Sequence, residues 1–394
     1  MRVLQINVSA NVGSTGKIAE EIGKSLIKSG HESYIAYGRK ACNSASALIK
    51  IGNKLDHYLH GAYTLLTDKH GFASMAATKK LIKTIESIKP DLIALHNLHG
   101  YYINIAILFE YLEKAGKPVV WTFHDCWPFT GHCSHFENVH CFKWQTQCES
   151  CPKTHYYPKS YIDNSAFNFT YKKRLFTSIK DLTIVTPSIW LKNYTKQSFF
   201  SKNLVDTIPT GIDLNVFKPA LLKTEKPYVL FVSNVWLHTK GYQDIFKLRE
   251  LVDLTIDFIV VGISPKQLKS LSHGIKGYTR TNDINQLVNL YANAICLVNP
   301  TYSDNFPTVN IEALACGTPV VTYDTGGSPE TIDAQTGCVV AKGDIGGLAK
   351  AVEKLSKFDK SEIKVNCRKR AEALYNKHDR SMDYVHLFER LVVN

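Results

Sequence analysis

The sequence predicts an α/β protein built of two doubly wound parallel domains. Three observations predict it. Its 394 residues exceed a single small module and supply enough chain for two or three full-sized cores. Short β-prone runs alternate with amphipathic helical stretches, the pattern of a parallel sheet covered by helices. That alternation occurs twice, on either side of a turn-rich segment at residues 200–220.

The first series opens with residues 3–8, a β-prone run, followed by a Ser/Asn/Gly-rich loop over 9–16. Residues 17–29 then place Ile18, Ile22, Leu26 and Ile27 at helical spacing. Helical stretches at 78–88 and 105–115 precede strands at 91–95 and 118–123. The second series has strands at 228–232, 256–261, 294–298 and 319–323. Residues 362–391 show no strand pattern and read as helix. The expected domains are 1–205, 206–375 and a terminal helix over 376–394 that can cross back to the first domain.

Apolar residues make up 44% of the chain, a globular composition. No apolar run reaches the ~18 residues a membrane helix needs, and the first seven residues turn polar before a secretory segment could form. The expectation is a cytoplasmic protein. Lys and Arg outnumber Asp and Glu by 47 to 35, a formal charge of +12. Residues 1–215 hold 25 basic against 16 acidic groups, a net +9, and the remainder only +3. The basic half should meet something anionic: nucleic acid, a phosphorylated substrate or an acidic membrane surface. Lys79, Lys80 and Lys83, with Lys172, Lys173 and Arg174, are candidates for peripheral contact with the inner face of a plasma membrane.

Gly13-Ser14-Thr15-Gly16-Lys17 lacks the spacing of a phosphate-binding Walker loop, and no GxGxxG follows the first strand. Gly13 and Gly16 still sit between a strand and a helix, where backbone N–H groups can approach a phosphate or sugar; a plain tight turn is the alternative. In the loop from Asn234, Lys240 stands before Gly241 at a strand exit, suited to neutralise a diphosphate or simply to be solvated. Asp304 and Glu312 lie eight residues apart around a helix expected to open at Val309, which would put Glu312 in its first turn. Both then point to the carboxyl edge of the sheet, where such folds bind ligands, or else cap the helix.

Asp304, Phe306-Pro307, Glu312 and Gly317-Thr318-Pro319-Val320-Val321 together resemble the hallmark of the retaining, nucleotide-sugar-dependent glycosyltransferase family four. The resemblance extends over the Gly13/Gly16 loop, Thr122-Phe123-His124-Asp125, Thr186-Pro187-Ser188, Thr210-Gly211-Ile212-Asp213, Lys240-Gly241 and Gly326-Gly327-Ser328-Pro329-Glu330. It implies the GT-B architecture, two facing Rossmann-like domains with a deep cleft between them. It also implies transfer from a UDP- or GDP-sugar to a glycan or lipid-linked acceptor, in capsule, O-antigen or exopolysaccharide synthesis. Glu312 is then expected to hold the donor ribose, Asp304 the sugar hydroxyls, Lys240 the diphosphate, and His124 the sugar. Asn305, Phe306, Pro307 and Thr308 complete the donor loop. His96 and His99, leaving another strand end, are acceptor-side candidates. Two departures stand out: Asp304 replaces the usual Glu, and Asn234 lies where many relatives carry an Arg, for which Arg280 is a candidate substitute.

Five of ten cysteines fall within residues 126–151. Cys133, Cys141, Cys148 and Cys151, with one CxxC pair, suit a four-thiolate structural zinc; free thiols or disulfides are the alternatives. No cofactor is expected at the reaction centre. A nucleotide-sugar epimerase and a zinc-bearing nucleic-acid binder are the rival readings. The second is disfavoured because residues 126–151 carry only Lys143 against Glu137 and Glu149, so nucleic acid is not expected as a partner.

Overall fold

The computed structural model describes residues 1–220, 226–358 and 360–393. The chain divides into two units, Met1–Ile208 with His378–Asn394, and Pro209–Lys377.

The first unit holds strands β1 (Arg2–Ala10), β2 (Glu32–Ala41), β3 (Ala47–Lys50), β4 (Leu92–Leu95), β5 (Val119–Thr122), β6 (Leu182–Thr186) and β7 (Leu204–Thr207). They form one sheet in the order β3-β2-β1-β4-β5-β6-β7, with every pairing parallel. β4, β5 and β6 are buried at every residue, as strands covered by helices on both faces must be. Trp121 on β5 anchors the core, with Phe109, Phe123 and Phe176 rings at 4.8–5.4 Å. The helix Lys377–Val393 packs Tyr384, Val385, Leu387 and Phe388 against Val3, Ile22, Leu26 and Leu92. Each such side chain stabilises by about 1.5–3 kcal/mol, so this return of the chain is a structural part of the first unit.

The second unit holds β8 (Tyr228–Val232), β9 (Asp257–Val261), β10 (Ile275–Tyr278), β11 (Leu297–Asn299), β12 (Val320–Tyr323) and β13 (Gly337–Val340). Their order is β10-β9-β8-β11-β12-β13, again all parallel. Each sheet reverses its strand order once, at β1/β4 and at β8/β11. A crevice opens at the carboxyl ends of strands at such a switch point.

The helix expected over 362–391 is two helices, Lys360–Leu374 and Lys377–Val393. The break is made by backbone pairing: Ile212 N–H donates to Tyr375 O at 2.7 Å and Lys377 N–H donates to Ile212 O at 3.0 Å. These bonds hold residues 375–377 in a bridge that continued helix would forbid.

Helix Lys54–Thr67 has inverted polarity. It begins at a capping box, with Asn53 accepting from Asp56 N–H and Asp56 accepting from Asn53 N–H. It buries His57, His60 and Thr64 and exposes Leu55, Tyr58, Leu59 and Leu66, each at least 59% accessible. Lys172, expected in a surface basic cluster, is instead buried. Its ammonium donates to Trp127 O and to Thr130 O and lies 3.7 Å from the Trp127 ring centre. Burial pushes it down to about 7.

Candidate active site

The loops leaving β8 and β11 bring one cation and one carboxylate together. Lys240 lies in the short turn His238–Lys240, and Gly241 follows with φ +72°. A Cβ on Gly241 would sit 2.1 Å from Pro300 O, so only glycine lets the two loops approach. Tyr302 N–H donates to Thr239 O at 2.9 Å and fastens them. In consequence Lys240 Nζ donates to Asp304 Oδ2 at 2.6 Å, while Phe306 N–H reaches Asp304 Oδ1 at 3.3 Å. The loop after β12 presses on the same residue: a Cβ on Gly326, at φ +57°, would lie 1.7 Å from Asp304 O.

Asn305, Phe306 and Pro307 are buried and lead into helix Thr308–Ala315. That helix starts one residue before Val309, which puts Glu312 beyond the first turn. Pro307 supplies no capping side chain, so neither carboxylate caps the helix. Its N-terminal amide dipoles face the loop that carries the ion pair, a favourable setting for an anion. Glu312 Oε2 accepts the phenol of Tyr291 at 2.8 Å. Burial, then the Glu312 carboxylate, drives Tyr291 well above its ordinary value, which keeps it a hydrogen-bond donor. Tyr302 and Tyr323 both donate to Asp244 Oδ2, at 2.7 and 2.9 Å. Sequence reasoning missed Tyr291, Asp244 and Tyr302. A tyrosine on an amphipathic helix reads as core, and only the three-dimensional partner reveals its second role.

In the first unit, the carboxyl ends of β4 and β5 carry a histidine network. His96 Nδ1 lies 3.2 Å from His124 Nε2, and their rings stack at 5.5 Å. His96 is fixed from behind by Gln5 Oε1 at 3.1 Å and by Trp121 Nε1–H, which donates to its carbonyl at 2.9 Å. Burial, against a smaller opposing pull from Asp125, lowers His124 to about 4, and burial together with His124 drives His96 well below its ordinary value. Both rings are neutral near pH 7, each able to donate one hydrogen bond and accept one. His99 joins Asp125 Oδ2 at 2.7 Å and the Tyr157 hydroxyl at 2.9 Å. Burial alone would raise Asp125, but His99, with His135 and the Trp127 N–H, outweighs it and brings the carboxyl to about 2.

The remaining candidates are more scattered. Gly13 is exposed at the start of helix Gly13–Lys28 with φ +70° and open space where a Cβ would point. Gly16 is buried against Ser9, whose Oγ would lie 2.8 Å from an added Cβ. Asn234 is exposed in the loop after β8. Arg280 is exposed beyond the edge strand β10, which β9 separates from β8. Cys133, Cys141, Cys148 and Cys151 line one cavity remote in sequence from these loops.

Comparison with known proteins fits this geometry. Residues 15–216, just over half of the chain, match Glycosyltransferase Family 4. The chain belongs to glycosyltransferase family 4. Residues 226–357 separately match Glycosyl transferases group 1. The Escherichia coli (strain K12) protein described as a colanic acid biosynthesis glycosyl transferase, WcaC, is 24% identical, over 99% of this chain and all of its own. Among solved structures, sucrose-phosphate synthase of Thermosynechococcus elongatus has a TM-score of 0.72 at 18% identity, covering 100% of this chain and 99% of that one. Anabaena Alr3699/HepE in complex with UDP and glucose has a TM-score of 0.67 at 15% identity, covering 98% and 99%. The fold of this family 4 glycosyltransferase is GT-B, with two parallel-sheet Rossmann-like units. Its reaction is glycosyl transfer from a nucleotide-sugar donor to a hydroxyl acceptor.

Proposed function

We propose that this family 4 glycosyltransferase uses a UDP- or GDP-sugar and transfers the sugar with retention of anomeric configuration, without a divalent metal at the reaction centre. The observation that carries the proposal is the Lys240–Asp304 pair at the β8/β11 switch point, beside a helix N-terminus without a side-chain cap. Breaking the bond between the sugar C1 and the diphosphate leaves negative charge on the departing oxygens. A positioned ammonium and amide dipoles stabilise that charge without reorganising. Lys240 meets the diphosphate, Asp304 holds Lys240 in the free enzyme and then accepts from sugar hydroxyls, and Glu312, steadied by Tyr291, accepts from the ribose hydroxyls. In the first unit, neutral His124 hydrogen-bonds a sugar hydroxyl, and His96 and His99 serve the acceptor side. The UDP in the Anabaena neighbour and the colanic acid biosynthesis in WcaC's description favour a UDP-sugar and glycan assembly.

The acceptor in this reading is a glycan or a lipid-linked glycan presented at an anionic membrane. Its support is the exposed apolar face of helix Lys54–Thr67, continued by Tyr161 and Ile162, which are tied to the helix by Tyr161 N–H donating to Leu65 O at 2.9 Å. Exposed Lys79, Lys80 and Lys83 on the neighbouring helix Met75–Ile88 supply positive charge. Calorimetric titration with UDP-, GDP- and ADP-sugars, followed by anomeric NMR of the product with and without chelator, tests the proposal. Saturable binding of one donor and a product of unchanged anomeric configuration, formed equally with chelator, are expected. An inverted product, or activity abolished by chelation and restored by a divalent ion, overturns the corresponding part.

A further inference from the structure

Cys133, Cys141, Cys148 and Cys151 line a single partly open cavity. They come from separate points of a stretch whose only regular structure is short turns, Trp127–Phe129, Glu137–Val139 and Lys143–Gln145. Such a stretch has little backbone pairing of its own to hold it. All four thiols are free. Two already receive backbone donors: Gly131 N–H points at Cys148 Sγ at 3.2 Å, and Lys153 N–H points at Cys151. The Cys151 and Cys133 thiols are hydrogen-bonded to each other. Amide N–H groups aimed at sulfur are the outer-shell contacts that orient cysteine around a metal.

A second observation shows that the cavity is short of an occupant. His132 lines it and is 2% exposed. Its Nδ1 is engaged by the buried Asp68 carboxylate, while its Nε2 is buried without a hydrogen-bond partner among the described residues. A buried polar atom left this way costs about 1–3 kcal/mol, and native structures seldom keep one without a reason. Lys143 and Lys153 line the same cavity and bring positive charge to it.

We propose that this cavity binds one structural Zn²⁺ through the thiolates of Cys133, Cys141, Cys148 and Cys151. Four S–H bonds break, four Zn–S bonds of about 2.3 Å form, and four protons leave to solvent. The zinc–thiolate centre then carries a charge of −2, which Lys143 and Lys153 offset. No three His, Cys, Asp or Glu side chains among the described residues are already gathered as a metal would hold them. Uptake therefore brings the four sulfurs onto one ion and couples the metal to the order of residues 126–151.

Elemental analysis of full-length protein purified without added metal should give about one equivalent of zinc. A thiol-specific mercurial should release it, and Cys148→Ser or Cys151→Ser should lose it, whereas Cys42→Ser, at an exposed cysteine outside the cluster, should keep it. Cobalt replacing the zinc should show the absorption of tetrahedral thiolate coordination, and chelation should lower Tm. If a cluster variant fails to fold, zinc release from the wild-type protein decides the matter. Metal-free protein with unchanged Tm after chelation, or disulfides among these cysteines by non-reducing mass analysis, overturns the proposal.

Discussion

Lys240 Nζ and Asp304 Oδ2 lie 2.6 Å apart, joining the loops that leave β8 and β11. Neither side chain is deeply buried, at 33% and 25% exposure, so the pair contributes at most about 1 kcal/mol to stability. In the proposed reaction this strand-exit lysine changes partners, from the carboxylate to the diphosphate.

Lys240→Ala should therefore lower kcat/KM at least tenfold, about 1.4 kcal/mol of barrier, with Tm nearly unchanged. Asp304→Asn should be worse than Asp304→Glu, since the second keeps the charge. Steady-state kinetics with melting curves check both. A wild-type rate in Lys240→Ala removes the diphosphate assignment, and a reversed order at Asp304 means that reach governs that position.

Glu312 and Tyr291 should separate in degree. Glu312→Ala removes the proposed ribose contact and should raise donor KM by tenfold or more. Tyr291→Phe removes only the phenol that steadies Glu312, a hydrogen bond to a charged group of about 1.5–3 kcal/mol. Its effect on KM should be smaller, with part of the loss appearing in Tm. Equal KM effects would assign Tyr291 to the donor itself.

The sheets were legible where strands are short apolar runs buried on both faces, as at Leu92–Leu95 and Val320–Tyr323. β2, β3, β6, β7 and β13 were not. β2 mixes Glu32, Arg39 and Lys40 with its apolar residues, β3 is a largely exposed edge, and β7 and β13 are only partly buried. β6 was passed over although every residue of it is buried. Asp304 and Glu312 were legible as a spaced pair. Their actual partners, Lys240 and Tyr291, lie 64 and 21 residues away in sequence, and spacing does not encode which loops a switch point brings together. Lys172 misled for a related reason: three consecutive cations look solvated, yet helix Ser165–Phe176 turns one of them onto the Trp127 ring.

Gly326 tests how rigidly Asp304 must be held. Gly326→Ala forces a left-handed alanine and a methyl group 1.7 Å from Asp304 O, so the loop must move. Stability should fall by more than the roughly 1 kcal/mol typical of a glycine replaced at positive φ, and activity should fall with it. Gly13→Ala meets open space and should cost only about that amount. If backbone amides there approach a ligand, Gly13→Ala still lowers kcat/KM at unchanged fold, whereas unchanged kinetics would leave Gly13 a turn residue.

Acid should destabilise the protein through its buried imidazoles. His124 and His60 are held at about 4 and His96 well below its ordinary value, each chiefly by burial. Between the ordinary value of 6.5 and about 4 the unfolded chain binds protons that the folded chain refuses, so stability falls as pH falls through that window. Asp125, held at about 2, contributes stability that persists until pH drops below its ordinary 3.8. Tm should therefore decline from pH 7 to pH 5, and His124→Asn should flatten part of the decline. The rate should show no break from His124 titration between pH 5.5 and 8; such a break, abolished in His124→Asn, would mean that the imidazolium is accessible.

The inverted helix Lys54–Thr67 makes a sharper membrane prediction than charge alone. Ordinary surface helices bury their apolar stripe, whereas this one spends its inward face on His57, His60 and Thr64 and presents Leu55, Tyr58, Leu59 and Leu66 to solvent. Seating Leu59 among lipid chains would gain about 1.5–3 kcal/mol, Tyr58 suits the headgroup level, and Lys79, Lys80 and Lys83 add roughly 1 kcal/mol each near anionic lipid. Salt should screen the second contribution over about 8–10 Å and leave the first. Co-sedimentation with phosphatidylserine-containing vesicles should thus weaken with salt without vanishing. Leu59→Glu should reduce it at every salt concentration, and Lys79→Glu/Lys80→Glu chiefly at low salt. Absence of binding at low salt, or binding indifferent to Leu59→Glu, refutes membrane docking by this face. Concentration-dependent self-association lost in Leu59→Glu, without vesicle binding, would show that a second copy of the chain covers it instead.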